Sequence, residues 1–526
     1  MEGLEVLLRN PAGREQTRGL AVVVITLTVL YWSYAYLLPS LRLSKIPKAG
    51  KDPGFLASLF GIGLAEAKRD FKKNGLRILN EAYLKNKGSM FRVQTLNEER
   101  VVLSPSYIEE INKNVPEGVL NVTDGLSERL MGPFTNLDVV FNSDMHIEVC
   151  RSPLTQNLPK LIAPLREEAE YWLERRIPGD DAESELNVHE LIVRVISGTA
   201  TRMLSGPEAS RDPEWLETAA LYSYDVVVVA QTLRHFHPLL RPFIAPFLDS
   251  KKKLDKHLGV AKKTFRGLFI QRMEQQDRGW DFAAGEKPAD MVQWMVEAAK
   301  GSDRDLDVLA MNMLFMTLAG VHTSANTTMH ALFDLCAHPQ FAQPLRDEIQ
   351  EVTDQDGWTM AAMSRLKKLD SFIKESQRLN QTVLMTFNRK LAKSVEFADG
   401  TVLPRGTCIT MPSVAVSRDP TYFENPDEFD GFRFYDKRSA TASKSEANRQ
   451  SFAAIGPDNL AFGFGKTACP GRFFAGTQIK VVLASIILRY DVSFPKGQTK
   501  RPENIYKGGL IQPDPRQKIV FKRRVE

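Results

Sequence analysis

The stretch Phe462-Gly463-Phe464-Gly465-Lys466-Thr467-Ala468-Cys469-Pro470-Gly471-Arg472 restricts this chain more than any other. It sets one cysteine between two glycines upstream and a proline and glycine downstream, and the apolar run 473–484 that follows predicts a helix. Cys469 thus stands at a loop-to-helix junction, where free backbone N–H groups and the positive end of the helix dipole favour a thiolate. Glycines let the backbone lie close against something flat that side chains would hold away. A thiolate ringed by backbone donors and covered by Phe462 meets the needs of an axial ligand to haem iron, because N–H···S contacts tune its electron donation. A lone cysteine otherwise behaves as a small buried hydrophobe, so the glycine and phenylalanine frame carries this reading.

The 526 residues hold 69 Lys and Arg against 64 Asp and Glu, a net charge of +5, with 43% hydrophobic. Such a chain can bury a large core. The small, scattered positive excess selects against a nucleic-acid partner. Cys150, Cys336, Cys408 and Cys469 lie far apart and match no zinc, iron–sulfur or disulfide spacing. Residues 20–38 carry no charge and, at about 1.5 Å per residue, approach the thickness of a bilayer's hydrocarbon core. The run ends in Tyr31, Trp32, Tyr34 and Tyr36, where a cleaved signal peptide would be shorter and end in small residues. A transmembrane anchor is therefore expected over 20–38, with 1–19 lumenal and the bulk cytosolic, since Arg42, Lys45, Lys48 and Lys51 follow the span. Pro39, Pro47 and Pro53 predict a stiff extended linker over 39–53.

Further along, 90–94 and 100–103 predict a hairpin, as do the residues flanking Asp399-Gly400. Ser302 and Asp305 predict a capping box that opens a long helix ending at Ala337, before Pro339. That helix is apolar nearly all round and so should cross the centre of the protein. In its middle, Gly320 within Ala319-Gly320-Val321-His322-Thr323-Ser324 costs about 1 kcal/mol relative to alanine. Close approach of a ligand would explain it, and so would packing against a neighbouring helix. Glu375 and Arg378 sit three apart, as a local ion pair requires. The polar run 437–448 predicts an exposed loop.

Phe462-x-x-Gly465-x-x-x-Cys469-x-Gly471 resembles the signature of the cytochrome P450 family, the haem-thiolate monooxygenases, and the remaining elements follow in that family's order. The resemblance implies a mainly α fold with a small β-sheet subdomain, forming one catalytic domain over 54–526 behind the anchor. It implies haem b bound by Phe462, Gly465, Cys469 and Gly471, with Cys469 on the iron. The segment 319–324 resembles the family's oxygen-binding groove, so that Gly320 makes room and Thr323 helps deliver the protons that break the O–O bond. His322 stands where the family has an acid, and a histidine can also relay a proton near neutral pH. Glu375, Arg378 and Arg433, the last within Phe429-Asp430-Gly431-Phe432-Arg433-Phe434, match the triad that holds the proximal face. Arg151 and Arg389 match arginines that meet the haem propionates. The basic residue usually two before the cysteine is Thr467 here, with Lys466 beside it as a substitute.

Electrons would come from NADPH through NADPH-cytochrome P450 reductase, for which Lys466, Arg472 and Lys480 offer a basic docking surface. Phe315, Leu318, Val383, Leu384 and Met385 imply a lipophilic substrate. Residues 226–247 fall where flexible elements roof the substrate pocket and touch the membrane, and the family's microsomal members place the enzyme at the endoplasmic reticulum. The phrasing Ala-Cys-Pro-Gly-Arg-Phe-Phe-Ala is similar to filamentous-fungal members that oxidise terpenoids and indole-terpenoids in secondary metabolism. Lipid or xenobiotic hydroxylation, a reductase-independent isomerase or dehydratase, and a non-catalytic haem-binding or scaffold protein stay open as alternatives.

Overall fold

Apolar side chains on nearly every side draw Leu306–Ala337 into the middle of the molecule, and helices from both halves of the chain are laid against it. The computed structural model describes residues 38–54, 62–179, 183–207, 209–280 and 286–524, with Val22, Val23, Thr26 and Ala57 as isolated positions. The expected lumenal segment 1–19 and the anchor 20–38 thus lie outside the described residues, apart from Leu38 and three of those isolated positions. The linker expected to run extended from residue 39 begins instead as the helix Leu38–Ser44. Pro39 falls in its first turn, where the missing N–H costs no intrahelical bond.

The principal helices are α1 (Leu64–Lys85), α2 (Thr123–Leu130), α3 (Met145–Val149), α4 (Leu158–Arg176), α5 (Val188–Ser205), α6 (Pro213–Leu233), α7 (Asp249–Arg278), the central α8 (Leu306–Ala337), α9 (Lys367–Leu379), α10 (Arg433–Ala440), α11 (Lys444–Arg449) and α12 (Arg472–Arg489). The fold is mainly helical with small sheets. Helices α5, α6, α7, α9 and α12 all pack on α8. Among the described residues α8 is the one helix long and apolar enough to cross a membrane, yet 61% of its most apolar stretch is buried inside the protein. It is the spine of the core. Its cap differs from the expected box: Asp305 accepts from the N–H groups of Asp307 (2.8 Å) and Val308 (3.2 Å), while Ser302 belongs to the preceding turn Gly301–Arg304. A carboxylate one residue from the helix satisfies two orphan donors that Ser302 lies too far back to reach.

A second core forms around a six-stranded sheet of β1 (Lys48–Ala49), β2 (Met90–Gln94), β3 (Glu99–Leu103), β4 (Leu120–Asn121), β5 (Thr386–Leu391) and β6 (Cys408–Met411), ordered β1-β2-β3-β6-β5-β4. The expected hairpin is β2–β3, paired antiparallel from Met90 opposite Leu103 to Gln94 opposite Glu99. Strands β5 and β6 are antiparallel with a shift of register between Thr386 and Arg389, where Phe387 adopts φ 55°. The run 437–448 is no loop, because α10 and α11 occupy most of it as short exposed helices, with Ser443 Oγ accepting from Glu446 N–H at 3.4 Å. Polarity placed it correctly at the surface but does not distinguish a loop from a solvated helix.

Candidate active site

The cysteine loop reverses direction through left-handed glycines, Gly463 at φ 73° and Gly465 at φ 68°. Cys469 N–H donates to the Phe462 carbonyl (2.8 Å) and Ala468 N–H to the Gly465 carbonyl (3.1 Å). A Cβ on Gly465 would stand 2.9 Å from Asn112 Oδ1, so the position is closed to side chains twice over. Helix α12 then starts at Arg472 and extends five residues beyond the expected end. The Cys469 side chain is exposed. Protein nonetheless surrounds it at longer range, and this burial pushes its thiol up against the N–H groups of Gly471 and Arg472 and the Arg472 charge, which pull it down. The donors expected at the helix start are present, but burial outweighs them. Phe462 meets Phe452 edge-to-face, with ring centroids 5.3 Å apart.

In α8, Ala319 and Thr323 are exposed although Thr317, Val321, Ser324 and Ala325 around them are buried. One turn apart, they mark an open strip on an otherwise closed helix. A Cβ on Gly320 would meet nothing within 4 Å, which removes helix packing as the reason for this glycine. Thr323 Oγ1 donates to the Ala319 carbonyl at 2.9 Å. His322 turns elsewhere: its Nε2 meets the Ala220 carbonyl on α6 at 2.7 Å, and burial lowers its pKa. A carbonyl only accepts, so the neutral ring carries its proton on Nε2. In this arrangement His322 ties α8 to α6.

Glu375 and Arg378 on α9 and Arg433 at the start of α10 come together, all buried. Arg378 grips Glu375 with Nε to Oε2 at 2.8 Å and Nη2 to Oε1 at 2.7 Å, and Arg433 Nε reaches Oε1 at 3.1 Å. The two guanidiniums also donate to the carbonyls of Ser417 (2.8 Å) and Glu424 (2.6 Å), so each buried charge has several partners. Arg151 is exposed and donates from Nη2 to the Lys466 carbonyl at 2.6 Å. Arg389 is buried on β5, donates to Thr467 Oγ1 and to the Asn388 carbonyl (2.7 Å), and leaves Nε buried without a partner. Burial pulls its guanidinium down to about 10. Lys480 is not part of an open docking surface, because it is largely buried and paired with Asp370 at 2.5 Å. The sequence reading missed the bulge at Phe387, which carries no local pattern.

The cytochrome P450 family model matches residues 54–521. The chain belongs to the cytochrome P450 family. A cytochrome P450 monooxygenase of Emericella nidulans is 35% identical over 459 residues, covering 86% of this chain and 84% of the relative. An ent-kaurene oxidase of Gibberella intermedia is 36% identical with the same coverage, and a cytochrome P450 monooxygenase of Penicillium canescens is 31% identical over 87% of this chain and 85% of the relative. This P450 is an enzyme of a family that uses haem and reductase-supplied electrons. Its residues fit a haem: an exposed thiol with two backbone donors, an open strip of small residues on α8, and in Arg389 a buried cation with no carboxylate partner among the described residues.

Proposed function

We propose that this P450 is a haem-thiolate monooxygenase that oxidises a lipophilic natural product, a terpenoid or indole-terpenoid of secondary metabolism. The observation that carries it is the exposure of Cys469 and Thr323 at two packed helices, α12 and α8, within an otherwise buried core. The ent-kaurene oxidase among the relatives supports a terpenoid substrate. Phe315, Leu384 and Met385 are buried and would supply apolar lining.

When bound, a haem with thiolate ligation supplies the activation of dioxygen and the insertion of one oxygen atom into a C–H bond. Cys469 would hold the iron, and the N–H groups of Gly471 and Arg472 would spread the charge on its sulfur. Thr323 would contribute the hydroxyl that moves protons, by turning its O–H away from the Ala319 carbonyl. His322, neutral and committed to Ala220, would hold α6 over α8 instead. Arg151 and Arg389 would meet the carboxylates of the haem. The clamp of Glu375, Arg378 and Arg433 would keep the proximal side rigid.

Electrons would come from NADPH through NADPH-cytochrome P450 reductase. The layout is lumenal 1–19, anchor 20–38, linker 39–53 and catalytic domain 54–526, at the endoplasmic reticulum membrane. Leu239, Phe243 and Phe247, each more than 70% exposed between α6 and α7, support contact with that membrane. The deciding experiment is the reduced, carbon monoxide-bound absorption spectrum of the detergent-solubilised full chain beside Cys469→Ala, followed by turnover of ent-kaurene with NADPH and reductase. A strongly red-shifted Soret band that disappears in the variant is the expected result. A band that survives the substitution, or no haem uptake, defeats the ligand assignment. A haem-loaded protein that leaves ent-kaurene and indole-diterpenes unchanged defeats the substrate reading.

A further inference from the structure

Asn504 leads directly into a short hairpin, β7 (Ile505–Lys507) and β8 (Leu510–Gln512), closed by Gly508 and Gly509 at φ 62° and 93°. Three antiparallel pairs join its strands, and a two-stranded hairpin of that size is marginal alone in water. Its position therefore has to come from outside. One support is the segment that enters β5: Leu384 N–H donates to the Gly509 carbonyl (2.9 Å), Ile511 N–H donates to the Thr382 carbonyl (3.0 Å), and Val383 faces Leu510 in an antiparallel bridge. Residues paired across an antiparallel ladder turn their side chains to the same side. Val383 and Leu510 thus share one face, the more open one, while Leu384 and Ile511 share the other, buried in the sheet core.

The other support is buried and polar. Arg501 donates from Nε to Asp334 Oδ1 near the end of α8, from Nη2 to His330 Nδ1 (3.0 Å) and from Nη1 to Asn504 Oδ1 (3.0 Å). Asn504 Nδ2 donates to Asn380 Oδ1 (2.8 Å), and Asn380 Nδ2 to Asp334 Oδ2 (3.2 Å), which also accepts from Ser376 Oγ (2.5 Å). A guanidinium only donates, so His330 Nδ1 accepts and the neutral ring carries its proton on Nε2. Asp334, His330 and Ser376 are each no more than 2% exposed. One buried carboxylate thereby holds both chains of the ladder, the start of β7 through Arg501 and Asn504, and the approach to Thr382 through Asn380. Burying a charge is costly, and well-packed apolar groups of similar volume often hold a fold equally well. A guanidinium fork adds what apolar contacts lack, a set angle and a set register. A slip of one residue in this ladder would turn Val383 or Leu510 to the opposite face.

We propose that Asp334 and Arg501 are positioning residues for substrate: the buried network they centre fixes the register of β7 and β8 against residues 382–384, and so sets where Val383 and Leu510 stand as one wall of the substrate pocket. The inference rests on the haem-thiolate reading and deepens it, because it makes discrimination among lipophilic molecules depend on a buried carboxylate. Asp334 lies about three turns beyond Thr323 on the same side of α8, so the wall is referenced to the helix that carries the open strip.

The test uses the haem-loaded full chain and four variants, Arg501→Gln, Arg501→Lys, Asn504→Ala and Leu510→Ala. Imidazole, small enough to reach the iron without the wall, and phenylimidazole, whose added ring must fit beside it, are titrated by their Soret shifts. Urea unfolding and amide exchange at Leu384 and Ile511 are followed in parallel. Arg501→Gln is expected to change the preference for phenylimidazole over imidazole about tenfold, with faster exchange at those two amides. Arg501→Lys keeps the charge without the fork and should fall between that variant and the parent. Asn504→Ala leaves the Asp334–Arg501 pair in place and should move the preference in the same direction with little loss of stability, which keeps the test decisive if Arg501→Gln does not fold. Leu510→Ala should alter the preference at unchanged unfolding. A parental preference in Arg501→Gln and Asn504→Ala, with only the unfolding curve displaced, makes the network structural and overturns the proposal, as does a parental preference in Leu510→Ala. A parent that gives no Soret shift with imidazole defeats the haem-thiolate reading and this inference with it.

Discussion

Thr467 Oγ1 accepts a hydrogen bond from Arg389 Nη2, so the position at which the family carries a basic residue serves here as an acceptor for another cation. Arg389 is buried and already lacks a partner on Nε. Replacing Thr467 by valine keeps the shape and removes the acceptor. The expected loss is about 1–3 kcal/mol in urea unfolding, with Thr467→Ser close to the parent. Equal stability of the valine variant would show that the contact contributes nothing.

Among the described residues Glu375 is the only carboxylate bonded to both Arg378 and Arg433, and all three are buried. Glu375→Gln leaves two guanidiniums without their counter-charge. The expected cost is about 3–5 kcal/mol, together with poor haem retention after purification. A variant that unfolds within about 1 kcal/mol of the parent would assign the fixing of α10 to the carbonyls of Glu424 and Glu428 instead.

Burial holds His146 at a pKa of about 4, against an ordinary value of 6.5. The unfolded chain therefore binds this proton first as pH falls. Stability from this group is full above about pH 6.5 and falls as pH drops toward 4, by about 1.4 kcal/mol per pH unit. His146→Phe keeps a ring against Phe315, whose centroid lies 5.0 Å away, and should flatten that slope. Parallel pH profiles of unfolding free energy for the two proteins would sink the assignment.

Thr323 and His322 are adjacent in sequence and engaged in different tasks. Thr323→Ala should consume NADPH while product formation falls tenfold or more, with the difference appearing as peroxide. His322→Gln keeps an N–H for the Ala220 carbonyl and should stay near the parent in coupling, whereas His322→Leu should lose stability. Peroxide release from His322→Gln equal to that from Thr323→Ala would return the relay to His322.

The parts of the site that were legible in the sequence are those whose chemistry is local. Gly463, Gly465 and Gly471 around Cys469 announce a tight loop before a helix, and Glu375 and Arg378 announce a pair by their spacing. Arg433 lies 58 residues from Glu375 and was found by resemblance rather than by any local pattern. The direction of a side chain is a tertiary fact, which is why His322 was expected beside Thr323 but meets α6 instead.

Phe387 occupies a left-handed backbone conformation that glycine adopts freely and a bulky residue adopts only under constraint, at a cost of about 1–3 kcal/mol. Its ring lies 4.4 Å beneath the Arg389 guanidinium, and the register shift it creates turns the strand just before that arginine. Glycine at 387 would relax the backbone and take away the surface on which Arg389 rests. At this point of the sheet a sturdier protein would be a worse-aimed one, so screens that select for heat tolerance alone should enrich substitutions here that bind haem less well.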